Sequence, residues 1–259
     1  MNLLAFDTST DALSIAVGKG VGESVSQRAD NTAQIWQHVG VGGAQASATL
    51  IPAIMELMRQ AGLRFEDLDT IAFGKGPGSF TGLRTACSVA QGLALGAGVP
   101  VLPVDTLLAV AEEARFALQP AGALRVMALL DARMDEVYAA CYRFDGAAWL
   151  QHGEYRLCKP ENLLPLAALP GDDSADWQIA GNAHIAYGAR LPSMRNAPVH
   201  ALPTAAAMLR LAPALLASHH AVPADQALPT YIRDKVAKTS LERQIEKATS
   251  ATSTATAGR

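Results

Sequence analysis

The chain has 259 residues, 50% hydrophobic and 17% charged, which excludes intrinsic disorder and leaves one large domain or two lobes of roughly 100 to 150 residues. A net charge of −3 and an aromatic content of 5% argue against a chain that grips nucleic acid by itself, with only a local basic patch left open. Cys87, Cys141 and Cys158 form no CxxC, Asp7 interrupts the place of a signal peptide, and no apolar run approaches about 18 residues, so a soluble, cytoplasmic protein without disulfides or membrane contact is expected.

Leu3 to Phe6 and Leu13 to Val17 are apolar runs separated by Asp7-Thr8-Ser9-Thr10-Asp11, the pattern of a hairpin. Glycines 18, 20 and 22 mark a turn, Glu23 to Arg28 a third strand, and Gly40, Gly42 and Gly43 a loop. Leu50, Ile51, Ile54, Leu57, Met58 and Ala61 fall on one stripe of a helix that Gly62 ends, with Pro52 in or near its first turn or kinking it. Leu68 to Phe73 reads as a buried strand, followed by a glycine-rich loop at 74–82 and a helix carrying Leu83, Ala86, Cys87, Ala90, Leu93 and Ala94. Val99 to Val104 is a short strand, Thr106 caps a helix to about Leu118, and Arg125 to Leu130 pairs with Val137 to Phe144. The proline-rich stretch from 150 to 202 shows no clear elements, 204–218 is helical around Pro213, and the Thr/Ser/Ala-rich tail at 238–259 is expected to be disordered. Strands and helices in this order indicate an α/β architecture with two sheet-based lobes, and no repeat of 20 to 50 residues is visible.

The loop 74–82 is the most informative segment. Gly76, Gly78 and Gly82 permit positive φ and close approach of a ligand to backbone N–H groups at a helix N-terminus, where Ser79 and Thr81 add hydroxyls. It matches neither GxxxxGK[ST] nor GxGxxG, and the competing reading is a tight strand-to-helix turn in which Ser79 or Thr81 caps the helix. Asp7, Thr8 and Ser9 sit at a hairpin tip that suits a hydrated Mg²⁺ and phosphate, or a solvated turn. Asp131 and Arg133 follow a buried strand and either position a substrate or pair at a lobe boundary. No two of the six histidines stand at i, i+4, and no Ser, Cys or Thr nucleophile lies in a recognisable elbow, so neither a metal site nor a catalytic residue is assigned.

Leu4-Ala5-Phe6-Asp7-Thr8-Ser9-Thr10, Gly74 to Arg84 with its GxGPGSFTGLR pattern, Asp131-Ala132-Arg133-Met134 with Glu136-Val137-Tyr138, and Tyr231-Ile232-Arg233 together resemble the TsaB (YeaZ) family over about 1–237. The resemblance implies a two-lobed actin-like ATPase fold with mixed sheets flanked by helices, the first lobe at 1–104 and the second at 105–237. It implies a non-catalytic scaffold that pairs with TsaD for threonylcarbamoyl transfer to adenosine 37 of ANN-decoding tRNAs, assisted by the TsaE ATPase. By the same resemblance, tRNA is met only through the complex, a homodimer forms when TsaD is absent, no cofactor is tightly bound, and ATP or ADP belongs to the subunit junction. The two positions of the metal-binding His-x-x-x-His of TsaD are Thr106 and Val110 here, and Ala46 stands where the family usually has a His. The family pairs through the helices at about 47–61 and 80–97, which makes Leu50, Ile54, Leu57, Met58, Leu83, Cys87 and Ala90 candidate contacts, although the same stripe suits packing on the chain's own sheet. Asp131, Arg133, Tyr231 and Arg233 are family-motif residues without an assigned role. The alternatives are an actin-like nucleotide-binding kinase or ATPase and an M22-type (glycoprotease) metallopeptidase homologue.

Overall fold

The computed structural model describes residues 1–22, 33–163 and 177–233. Its first sheet begins with β1 (Leu3–Asp7), to which β2 (Ala12–Lys19) and then β3 (Gln34–Val41) add as an antiparallel meander. On the other side of β1, β4 (Thr70–Gly76) and β5 (Val101–Asp105) add in parallel, so the order is β3-β2-β1-β4-β5. Parallel neighbours need crossovers, and α1 (Ala46–Ala61) and α2 (Phe80–Ala97) supply them. The second sheet follows the same plan. Its central β6 (Leu124–Arg133) carries β7 (Glu136–Phe144) and β8 (Trp149–Cys158) antiparallel on one side, with β9 (Gln178–Gly181) and β10 (Val199–His200) parallel on the other. The duplication is one of architecture, with a period far longer than a solenoid repeat.

Burial explains the strand sequences. β1 is buried on both faces and therefore reads Leu-Leu-Ala-Phe rather than alternating. Leu4 and Phe6 face Leu50, Ile54, Leu57 and Met58 of α1 and Ala86, Cys87 and Ala90 of α2. Leu3 and Ala5 face the opposite layer, which contains Met208 and Leu209 of α5 (Ala205–Ala217). The helix α3 (Thr106–Leu118), which follows the first sheet, packs on β6 and β9 of the second, whereas α5 returns to β1 and β2 of the first and lies along α3. At that crossing Glu112, 3% exposed, accepts from Arg115 at 2.8 Å, Arg210 at 2.9 Å and Trp149 Nε1 at 3.0 Å, so its burial is fully compensated.

Several sequence expectations change. β3 absorbs Gly40 of the expected glycine loop into an edge strand, because β2 offers a full antiparallel ladder while the exposed Ile35, Val39 and Val41 blur the pattern of a half-buried strand. The expected strand at Glu23 to Arg28 and the tail at 238–259 lie outside the described residues. α1 starts at Ala46, which leaves Pro52 in its second turn, and Gly62 ends it at φ 63°. Asp105, not Thr106, caps α3, its carboxylate accepting from Leu107 N at 2.9 Å. The stretch from 150 to 202 contains β8, β9, the short α4 (Ala183–Tyr187) and β10. All three cysteines are free thiols. Among the described residues no helix is long and apolar enough to cross a membrane.

Candidate functional site

The two lobes meet at a cleft of about 280 Å³ bounded by four segments: the β1–β2 turn, the glycine-rich loop before α2, the β6–β7 turn, and residues 230–233. Of the residues singled out in the sequence, Ser9, Gly78, Ser79, Asp131, Arg133, Tyr231 and Arg233 line it together. Asp7, Thr8, Gly76 and Gly82 do not line it, being buried behind it, and Thr81 lies exposed on the first turn of α2.

Asp7 closes β1 and turns inward. Its Oδ1 accepts from Ser9 N at 2.8 Å and Ser9 Oγ at 2.6 Å, while Oδ2 has no partner within hydrogen-bond distance among the described residues. Burial raises its pKa to about 6, against the lowering effect of the Ser9 bonds and, more weakly, of the Thr106 hydroxyl. Thr8 is spent on the fold as well, its hydroxyl donating to Gly82 O at 2.7 Å.

The glycines serve this contact. A Cβ at Gly82 would stand 1.8 Å from Thr8 O, one at Gly78 2.6 Å from Ser9 Cβ, and one at Gly76, where φ is +109°, 2.6 Å from Thr230 O. Part of the loop's backbone is committed as well. Gly76 N donates to Thr106 Oγ1 at 3.0 Å, Ser79 N to Ser9 O at 2.8 Å, and Lys75 O accepts from Thr230 N at 2.6 Å. Ser79 caps α2 through a long 3.5 Å bond from Gly82 N. These contacts are those of a tight strand-to-helix turn. Gly82→Ala is expected to lower the melting temperature steeply, because a backbone carbonyl cannot move aside as a side-chain end can. Gly92→Ala, with nothing within 4 Å of the new Cβ, is expected to stabilise by up to about 1 kcal/mol; thermal denaturation of the two variants checks both.

The second lobe contributes a strained turn. Arg133, Met134 and Asp135 are three successive non-glycine residues at φ 61°, 55° and 64°. Asp131 anchors the turn, accepting from Arg133 N and Tyr187 OH, each at 2.8 Å, while Asn182 Oδ1 takes the Asp131 N–H at 2.8 Å. Arg133 pairs with Asp131 at 3.3 Å and reaches across the cleft to Asp11, so these two motif residues form an ion pair at the lobe boundary. Tyr231 and Arg233 fasten the other side, Tyr231 to α2 and Arg233 to the β6–β7 turn.

The apolar candidates require a correction. Leu50, Ile54, Leu57, Met58, Cys87 and Ala90 are each at most 5% exposed and belong to the core cluster against the chain's own sheet, and Leu83, 1% exposed, lies against Gly76 of β4, so these side chains are core. The solvent face of the same helices carries Ile51, Met55 and Leu95, exposed at 46%, 54% and 79%. Thr106 and Val110 are also fully buried, the first bonded to Gly76 N and the second packed in the second lobe's core, and Ala46 is buried at the start of α1. Sequence reasoning named Phe80 and Tyr138 only within motifs and gave them no place in the cleft, and it missed Asn182 there and, beneath it, Asp105, whose carboxyl burial pushes up while Tyr142 OH and Tyr155 OH donate to it. The one available signal was position: Phe80 lies inside the glycine-loop motif and Tyr138 two residues after Glu136.

Two mixed sheets of identical topology, each opened by a central strand and facing a shared cleft, define the actin-like two-lobed ATPase fold. The family model described as TsaD, tRNA N6-adenosine threonylcarbamoyltransferase, matches residues 33–257. The tRNA threonylcarbamoyladenosine biosynthesis protein TsaB of Escherichia coli K12 is 33% identical over 92% of this chain and 96% of its own length. The TsaB of Haemophilus influenzae is 34% identical over 91% and 95%. The solved structure of YeaZ from Pseudomonas aeruginosa superposes with a TM-score of 0.73 at 36% identity, covering 89% of this chain and 99% of that one. The chain belongs to the TsaB (YeaZ) family.

Proposed function

We propose that this chain is the non-catalytic scaffold subunit that pairs with a TsaD-type transferase in the making of tRNA threonylcarbamoyladenosine, contributing a docking surface rather than reactive groups. The observation that carries this reading is the outer face of α1 and α2. Ile51, Met55 and Leu95 are large, apolar and exposed there, and on α2 Ser88, Gly92 and Gly96 recur every four residues on the solvent side. Among the described residues a Cβ at either glycine would meet nothing within 4 Å, so no described neighbour requires glycine within this helix, where it costs up to about 1 kcal/mol. A closely approaching helix of a partner supplies the reason.

The kinase and peptidase readings are less well supported. Gly76 N, Ser79 N and Lys75 O of the glycine loop bond within the chain itself, and the positions aligned to the transferase's histidine pair are a buried hydroxyl and a buried isopropyl group. TsaE and tRNA join through the complex in this reading, ATP or ADP is a ligand of the subunit junction rather than a tightly held cofactor of this chain, and the same helical face forms a homodimer when the transferase is absent. The test is co-purification with the TsaD of the same genome, followed by assay of modified tRNA with all components present. Full tRNA modification in the absence of this chain, or by this chain alone, overturns the reading.

A further inference from the structure

Residues 230–233 cross from one lobe to the other through the mouth of the cleft. On the first lobe, Thr230 N donates to Lys75 O at 2.6 Å, and the Thr230 carbonyl fills the space that a Cβ on Gly76 would take. The Tyr231 ring packs against Phe80, tilted by 42° with ring centres 5.2 Å apart, and its hydroxyl accepts from Arg84 Nε at 3.3 Å. On the second lobe, Arg233 Nη2 donates to Ala132 O and to Glu136 Oε2, each at 2.9 Å. The segment thus holds the glycine loop and the β6–β7 turn at once, its Thr230 N–H donating to a loop carbonyl and its Thr230 carbonyl oxygen standing against Gly76.

We propose that the 230–233 segment is a built-in occupant of the interlobe cleft, a strap that holds the two lobes together and closes the glycine loop to external anionic ligands. Two features point the same way. Gly76 is required by the strap's own carbonyl, so its lack of a side chain needs no phosphate to explain it. Tyr231 and Arg233 hold opposite walls, so release of either end leaves the strap tethered to only one lobe.

The test compares the full chain with a Tyr231→Ala, Arg233→Ala double variant and with Tyr231→Ala alone, a half-exposed position at which the fold should survive. Amide hydrogen exchange at residues 76–80 and 131–136 reads the tie, and fluorescence of N-methylanthraniloyl-ADP, displaced by unlabelled ADP, reads access to the loop. The expected result is protection at both segments and no saturable signal in the full chain. In the double variant, protection at both segments should fall about tenfold or more, with saturable and displaceable binding, and Tyr231→Ala should lie between. Unchanged protection in the folded variants overturns the strap as a tie. Equal probe binding by the full chain and the variants, or no binding by a variant that has lost protection, overturns it as an occupant.

Discussion

Glutamate at Leu95 is expected to leave the chain folded and weaken its pairing with a TsaD-type transferase on the order of 100-fold, whereas glutamate at Leu57 is expected to unfold it. The two residues lie on neighbouring helices of one lobe and are the same amino acid, but Leu95 is 79% exposed and Leu57 only 5%. A surface substitution at an exposed site shifts stability by about 0.5 kcal/mol or less. A carboxylate at position 57 loses the burial of a leucine and has no cation among Leu4, Phe6 and the other apolar residues of its core. Together these cost about 5 kcal/mol or more, a large part of the 5 to 15 kcal/mol that holds a typical domain. At the docking face the same charge becomes buried only on association, and a penalty of about 3 kcal/mol weakens the complex on the order of 100-fold. Circular dichroism and pull-down of the transferase, run side by side on Leu95→Glu, Met55→Glu and Leu57→Glu, separate the two cases. A folded Leu95→Glu chain that retains wild-type affinity would move the docking face off α2. Gly92→Ala sharpens the contrast, since it should stabilise the free chain yet weaken pairing by keeping the partner helix at a distance.

Replacing Asp7 by Asn should raise stability at neutral pH and flatten its dependence on pH between about 4 and 6. Burial raises the folded-state pKa of Asp7 from 3.8 to about 6, so the folded chain holds the proton more tightly than the unfolded one. Stability from this group is therefore fully present below pH 3.8, falls as pH rises from there through 6, and stays at its lower value above. The difference corresponds to at most about 3 kcal/mol at pH 7. Asn retains the Oδ1 acceptor for Ser9 N and Ser9 Oγ and carries no charge into a site where Oδ2 has no partner within hydrogen-bond distance among the described residues. The measurement is the difference in unfolding free energy between wild type and Asp7→Asn across pH 4 to 8. It should grow in favour of the variant up to about pH 6 and then level off. A difference that does not change with pH would mean that Asp7 titrates in the folded chain as it does in the unfolded one.

Local signals made much of the first lobe legible. The β1–β2 hairpin, the α1 stripe ended by Gly62, the strand, loop and helix around Gly74 to Ala97, and the β6–β7 hairpin are each apolar runs bounded by polar or turn residues, or follow a helical stripe. β3 was not legible, because an exposed edge strand has weak alternation and its pairing comes from β2. Nor were β9 and β10, which are short and take their register from β6 rather than from their own residues.

The candidate site divides along the same line. The sequence by itself determined which segments matter: the Asp7 turn, the glycine loop, the Asp131–Arg133 turn and the Tyr231–Arg233 motif carry residue types that constrain backbone or charge wherever they fall, and all four converge on one cleft. It could not divide each segment between core and surface. A helical stripe is the same string of letters whether its own sheet or another protein covers it, so Leu57 and Leu95 exchange roles only once the packing direction of α1 and α2 is known. Glycine is likewise the same residue whether it admits a phosphate or a carbonyl of its own chain. Only the tertiary structure, by placing Thr8 O against Gly82 and Thr230 O against Gly76, decided that these glycines admit the chain itself, because long-range contacts between segments about 70 to 150 residues apart leave no local trace in the sequence.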